Sequence, residues 1–164
     1  MRLFIAIRLS DEIQRAIVDV QNTMRRQGIR GNYTPKENLH LTLAFIGEYS
    51  DPDYVLEAIE NVPFVPVALT LSDMGAFGDL WWIGLESSPE LKSYVRRLRH
   101  ALAEAGIPFD KKRFSPHITM LRRADTELSK ARTAPVKGLR MVSDHVSLMR
   151  SDRGKNRMIY TEIM

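Results

Sequence analysis

One pattern occurs twice in this chain, and it constrains most of what the polypeptide can fold into. An apolar strand-like stretch leads to a serine-capped amphipathic segment, which leads to a strand-like stretch carrying His-x-Thr. The first copy runs from Arg2–Arg8 through the cap Ser10 to His40-Leu41-Thr42. The second runs from Leu80–Leu85 through Ser88 to His117-Ile118-Thr119. Cap to histidine is 30 residues in the first copy (10 to 40) and 29 in the second (88 to 117). Equal element order at nearly equal spacing predicts two related lobes. Pseudo-symmetric lobes would set the two His-x-Thr faces opposite each other across one cleft.

The local patterns support this reading. Leu39, Leu41, Leu43 and Phe45 alternate with His40, Thr42 and Ala44, the period of two expected for a strand with one apolar face. Residues two apart on a strand point the same way, roughly 6–7 Å from each other, so His40 and Thr42 stand side by side. Around His117, the residues Phe114, Pro116, Ile118 and Met120 take one face, and His117 and Thr119 share the other. Ile13, Ala16, Ile17, Val20 and Met24 line one helix face after Ser10, with Arg25 and Arg26 in the last turn and Gly28 beyond it. Leu91, Val95, Leu98, Leu102 and Ala105 do the same after Ser88, ending at Gly106. Lys92, Arg96, Arg97 and Arg99 are expected on that helix's solvated side. Asp51-Pro52 opens a shorter helix with Val55, Ile59 and Val62 as its apolar side.

The remaining segments read as follows. Asn32–Pro35 is a short extended or turn segment, and Gly47 ends the His40 strand. Phe64–Leu71 is a strand limited by its prolines. Met74–Asp79 is a glycine-containing turn before the Leu80–Leu85 strand, and Phe114–Arg122 is the second His-x-Thr strand. Asp125–Ala134 is a polar connection with one or two helical turns. Val142–Met149 and Arg157–Ile163 are strands joined by the basic loop Ser151–Asn156.

At 164 residues, with 44% hydrophobic and 27% charged residues, the chain is expected to form one bilobal domain over 1–164. It has no cysteine, which excludes disulfides and thiolate metal sites and suits a reducing cytoplasm, the expected location. The apolar run before Arg8 is too short for a signal peptide, and no stretch approaches the ~20 apolar residues of a membrane span. A net charge of +4 favours polyanionic partners.

Two opposed histidines can divide acid–base work. A neutral imidazole takes a proton from a nucleophile while an imidazolium gives one to a leaving group, and an ordinary pKa of ~6.5 suits both tasks. Two neighbouring hydroxyls can donate to non-bridging oxygens. This set matches in-line displacement at a phosphodiester, with no metal required in principle.

The motif blocks resemble the two-histidine phosphoesterase superfamily, and within it the RNA 2′,3′-cyclic phosphodiesterase family, historically labelled 2′-5′ RNA ligase. The resemblance lies in Arg2–Ile7, in Tyr33–Gly47 around His40, in Phe114–Arg122 around His117, and in Ser151, Gly154 and Tyr160 of the closing hairpin. Tyr33 stands where tryptophan is common, and Gly75–Leu80 is shorter than the loop that relatives often carry. The resemblance implies an α+β fold with two pseudo-symmetric antiparallel-sheet lobes and outer helices around a central cleft. It implies hydrolysis of RNA-terminal 2′,3′-cyclic phosphates to 2′-phosphates, with His40 as proton donor, His117 as proton acceptor, and Thr42 and Thr119 on the phosphate. Residue pattern alone is symmetric in the two histidines.

Arg122, Tyr33 and Phe4 are further candidates for substrate contact. Arg122 lies five residues past His117, so a bend or strand end is needed to bring it to the cleft. Phe4 also fits a packing role. His100 and His145 fit surface or structural roles, and a zinc site from His40, His117 and His145 is disfavoured for want of closely spaced ligand pairs. No cofactor, no membrane and no obligate protein partner is implied; the partners expected are RNA ends or small cyclic nucleotides. Two other readings stay open: 2′-5′ RNA ligation from the same site, and a nucleotide- or phosphate-binding module without turnover.

Overall fold

A computed structural model of the protein describes residues 1–132 and 135–164. All three helix starts form where their caps stand. Ser10 Oγ accepts from the Ile13 N–H, Ser88 Oγ from Leu91 and Asp51 Oδ1 from Tyr54, opening α1 (Asp11–Arg26), α3 (Pro89–Glu104) and α2 (Pro52–Glu60). Each cap satisfies an amide that has no partner inside its own helix.

The strands are β1 (Arg2–Arg8), β2 (Asn32–Tyr33), β3 (His40–Glu48), β4 (Val67–Phe77), β5 (Leu80–Leu85), β6 (His117–Arg122), β7 (Arg140–Ser143), β8 (Ser147–Arg153) and β9 (Met158–Glu162). They form two antiparallel sheets, ordered β3-β1-β8-β9 and β2-β6-β5-β4-β7. The internal repeat is visible in the pairing. β1 pairs with β3 and β5 with β6, each lobe joining the strand before a long helix to the His-x-Thr strand after it.

The helices are exchanged between the lobes. α1 connects β1 to β3, yet Ile13, Ile17, Val20 and Met24 pack on Trp81, Ile83, Ile118 and Met120 of the β5–β6 sheet. α3 connects β5 to β6, yet Leu91, Val95, Leu98 and Leu102 pack with α2 on Leu3, Ile5, Leu41 and Leu43 of the β1–β3 sheet. Each such side chain leaves water at a gain of ~1.5–3 kcal/mol. The two hydrophobic cores are therefore each built from both copies of the repeat.

Three expectations are corrected here. The turn expected over Met74–Asp79 shrinks to Gly78-Asp79, because β4 continues to Phe77, which pairs directly with Leu80. Gly78 at φ 60 takes the left-handed position of this two-residue turn. The single strand expected over Val142–Met149 is two strands in different sheets, since β7 pairs with β4 and β8 with β1, and Asp144–Val146 carries the crossing. The second His-x-Thr strand begins at His117 rather than Phe114. Within the connection after Asp125, Leu128–Lys130 forms one 3-10 turn; the end of that expectation, 133–134, lies outside the described residues.

Candidate active site

Both His-x-Thr strands are irregular at the same place. Ile5 pairs with Ala44 and Ala6 with Thr42, so Leu43 is an extra residue in β3. Trp81 pairs with Leu121 and Trp82 with Thr119, so Met120 is an extra residue in β6. Each β-bulge lies three residues past its histidine, and a bulge shifts the in–out alternation by one position. Leu43 and Ala44 are both buried, as are Met120 and Leu121. The residue five past each histidine therefore returns to the histidine's face. In β6 that residue is Arg122, and the bulge supplies the bend its placement required. In β3 it is Phe45, which is 36% exposed instead of lying on the apolar face.

His40 and Thr42 lie on the face of their sheet away from α3, and His117 and Thr119 on the face of theirs away from α1. Cα atoms of β3 and β6 come within 8 Å of each other, so the two His-x-Thr strands are spatial neighbours. Burial lowers the pKa of His40, its Nδ1 hydrogen bond to the Asn38 carbonyl opposes that, and the positive charges of Arg122 and His117 lower it further.

The ring orientations are set by backbone. His40 Nδ1 lies 2.6 Å from the Asn38 carbonyl and His117 Nδ1 lies 2.7 Å from the Ser115 carbonyl, in each case two residues upstream. A carbonyl only accepts, so both Nδ1 atoms donate and both neutral rings carry their lone pair on Nε2. His40 Nε2 is 2.8 Å from Thr42 Oγ1. A neutral His40 accepts the Thr42 hydroxyl proton there. A protonated one donates to Thr42, which frees the hydroxyl hydrogen for another acceptor. Asn38 is 5% exposed, and its amide donates to the Met158 carbonyl at 2.8 Å, tying the segment before His40 to β9.

Aromatic rings flank each imidazole. Phe4 and Tyr160 stand 4.9 and 5.4 Å from the His40 ring. Phe77 and Trp82 stand 5.4 and 6.1 Å from the His117 ring. Phe4 is 3% exposed and spends its surface on His40 and Tyr160. Tyr33 is not brought to the rings. It pairs with Leu121 on the α1 side of the sheet, its hydroxyl donates to the Ile29 carbonyl, and the Arg25 guanidinium lies 4.3 Å from its ring centroid. His145 Nε2 lies 3.2 Å from Glu162, and His100 pairs with Glu104 on the exposed side of α3. Among the described residues no three metal-ligating side chains are grouped to hold an ion.

Phe77, Trp82 and Tyr160 were not singled out as site residues from sequence. The Trp81-Trp82 pair on an alternating strand required one indole to face each way. Only the pairing of Trp82 with Thr119 shows which one faces the histidine. Gly75 makes room for it, since a Cβ there would collide with the Trp82 indole. Gly75→Ala is expected to displace that ring and to cost about 1–3 kcal/mol of stability through overpacking. A red shift of tryptophan emission together with a lowered Tm checks this; Trp81, wholly buried, is the internal reference.

The family model described as the 2′-5′ RNA ligase superfamily matches residues 9–155. The chain belongs to the 2′-5′ RNA ligase superfamily. It is 35% identical to the RNA 2′,3′-cyclic phosphodiesterase of Escherichia coli, over 84% of this chain and 78% of that one. It is 31% identical to that of Thermus thermophilus, over 98% and 87%. Among solved structures it is similar to Escherichia coli LigT complexed with 3′-AMP, with a TM-score of 0.83 and 30% identity, covering 99% of this chain and 94% of the other. This superfamily member has its two-sheet α+β architecture in common with those structures. No helix among its described residues is long and apolar enough to cross a membrane.

Proposed function

We propose that this protein is a metal-independent RNA 2′,3′-cyclic phosphodiesterase that opens the ring to leave a 2′-phosphate. The observation that carries the proposal is that both imidazoles keep Nε2 opposite a fixed Nδ1 hydrogen bond, on two strands, β3 and β6, whose Cα atoms come within 8 Å. The names of the relatives support the substrate class.

In the proposed step water attacks phosphorus as the bond to the ribose 3′ oxygen breaks. His117 Nε2 takes the proton of the attacking water, and the Nε2 proton of His40 goes to the departing 3′ oxygen. Thr42 and Thr119 donate to the non-bridging oxygens, and Arg122 adds positive charge beside them. Protonating His40 reverses its bond to Thr42 and frees the Thr42 hydroxyl hydrogen for a phosphate oxygen; the Nε2 proton then leaves Thr42 Oγ1 for the departing 3′ oxygen. The assignment of donor and acceptor rests on the family resemblance. The 164 residues act as one bilobal unit on RNA ends or small cyclic nucleotides, and the cysteine-free composition suits a reducing cytoplasm.

An oligonucleotide ending in a 2′,3′-cyclic phosphate, incubated with the protein and a chelator, is expected to yield only the 2′-phosphate. A 3′-phosphate product would reverse the leaving group and reject the proposed step. Activity lost in chelator and restored by a divalent ion would reject its metal independence. Run backwards, the same site would join a cyclic phosphate to a 5′-hydroxyl, but water at its bulk concentration favours hydrolysis.

A further inference from the structure

The solvated helix side expected to include Arg99 holds a half-buried connection there instead. Arg99 Nη2 donates to the Leu43 carbonyl at 3.3 Å, and Nη1 donates to the Lys112 carbonyl at 2.7 Å. Its guanidinium lies 5.9 Å from the ring centroids of both Phe109 and Phe114. Leu43 is the bulge residue three past His40, and Lys112 lies in the segment feeding His117. One side chain on α3 thus grips both motifs.

α1 carries its counterpart. Gln21 is 2% exposed, and its Nε2 donates to the Met120 carbonyl at 3.0 Å and to the Thr34 carbonyl at 2.9 Å. Met120 is the bulge residue three past His117, and Thr34 lies in the segment feeding His40. Gln21 stands eleven positions past its cap (10 to 21), and Arg99 stands eleven past its own (88 to 99). A backbone bond accompanies each one: Thr34 N–H to the Met120 carbonyl and Asp110 N–H to the Phe45 carbonyl, both 2.8 Å. A bulge interrupts the ladder at one residue, and a buried carbonyl left without a donor is costly. At the β3 bulge the Leu43 carbonyl accepts from Arg99, and at the β6 bulge Gln21 is a second donor beside the Thr34 N–H; each of the two side chains also holds the lead-in to the opposite histidine.

We propose that Gln21 and Arg99 are paired positioning residues, each fixing the bulge of one His-x-Thr strand against the approach to the other and so setting the spacing of the two imidazoles. The proposal deepens the functional reading above and rests on it for its kinetic part. Neither side chain touches substrate. Each acts through the carbonyl past one histidine and the chain before the other, so loss of either strut loosens both half-sites. The crossed helices make this possible, because each helix leaves one motif's lobe and lies on the other's.

The test uses Gln21→Met and Arg99→Met, which keep bulk and remove the donors, assayed well below their own melting midpoints. Turnover of 2′,3′-cyclic AMP is expected to fall about 10–100-fold in kcat, with KM changed less than about threefold, as for misplaced but intact catalytic groups. The second readout needs no turnover. In the wild-type protein inorganic phosphate should shift the ring signals of His40 and His117 along one binding isotherm. In either variant the affinity should fall about tenfold or the two isotherms should separate. A lower Tm with unchanged kcat and unchanged isotherms overturns the proposal. If a Met variant does not fold, Arg99→Lys and Gln21→Asn take its place, each keeping the group's character with reduced reach. An intermediate kcat loss supports the proposal and a wild-type kcat overturns it. A wild-type protein inert on the cyclic substrate removes the functional reading, while the phosphate isotherms still decide the struts.

Discussion

His40→Ala and His117→Ala are each expected to lower hydrolysis of a 2′,3′-cyclic phosphate by about 10²–10⁴-fold, the range for a positioned general acid or base. KM should change little, since Thr42, Thr119 and Arg122 remain. The double substitution should be far less damaging than the product of the singles, because the two imidazoles serve one proton-transfer sequence and lose their value together. Steady-state kinetics of the two singles and the double check this. Singles that multiply would mean that the rings act in separate steps. A variant that keeps wild-type turnover would remove its histidine from the mechanism. Folding should survive both changes, because neither His40 nor His117 belongs to the two large hydrophobic cores.

Arg122→Ala is expected to move two quantities in opposite senses. Its guanidinium charge is one of the causes that hold the His40 pKa below the ordinary histidine value. Removing it should raise that pKa, so a larger fraction of His40 is protonated near neutrality. The same removal takes a positive charge from beside the phosphate, which should raise KM and lower kcat/KM by about 10–100-fold, the worth of one charge-assisted contact at ~1.5–3 kcal/mol. A better-populated acid would thus accompany a poorer enzyme. NMR titration of the His40 ring, free and with phosphate, separates the two effects. Bound phosphate should itself raise the His40 pKa, because its negative charge offsets Arg122 and His117. A His40 ring that titrates at the same pH with and without Arg122 would place that arginine outside the site.

The parts of this protein legible in the chain were those written in local spacing. Ser10, Asp51 and Ser88 opened helices because a cap acts on an amide only three residues away. His40 with Thr42, and His117 with Thr119, shared faces because strand alternation holds over two residues. Both bulges were invisible, since an extra residue exists only relative to a partner strand, and with them went the exposure of Phe45 and the phase of Arg122. For the same reason Val142–Met149 read as one strand: only its partners, β4 for the first part and β1 for the second, divide it at Asp144–Val146.

The chain by itself determined two repeats, each with a capped helix and a paired imidazole and hydroxyl. Tertiary structure alone decided that the helices exchange sheets, that Trp82 rather than Trp81 faces His117, and that Gln21 and Arg99 reach carbonyls of both motifs. Helix caps and strand faces are set by atoms a few residues apart. The pairing of carbonyls with donors dozens of residues away is set by which surfaces the two lobes bury against each other.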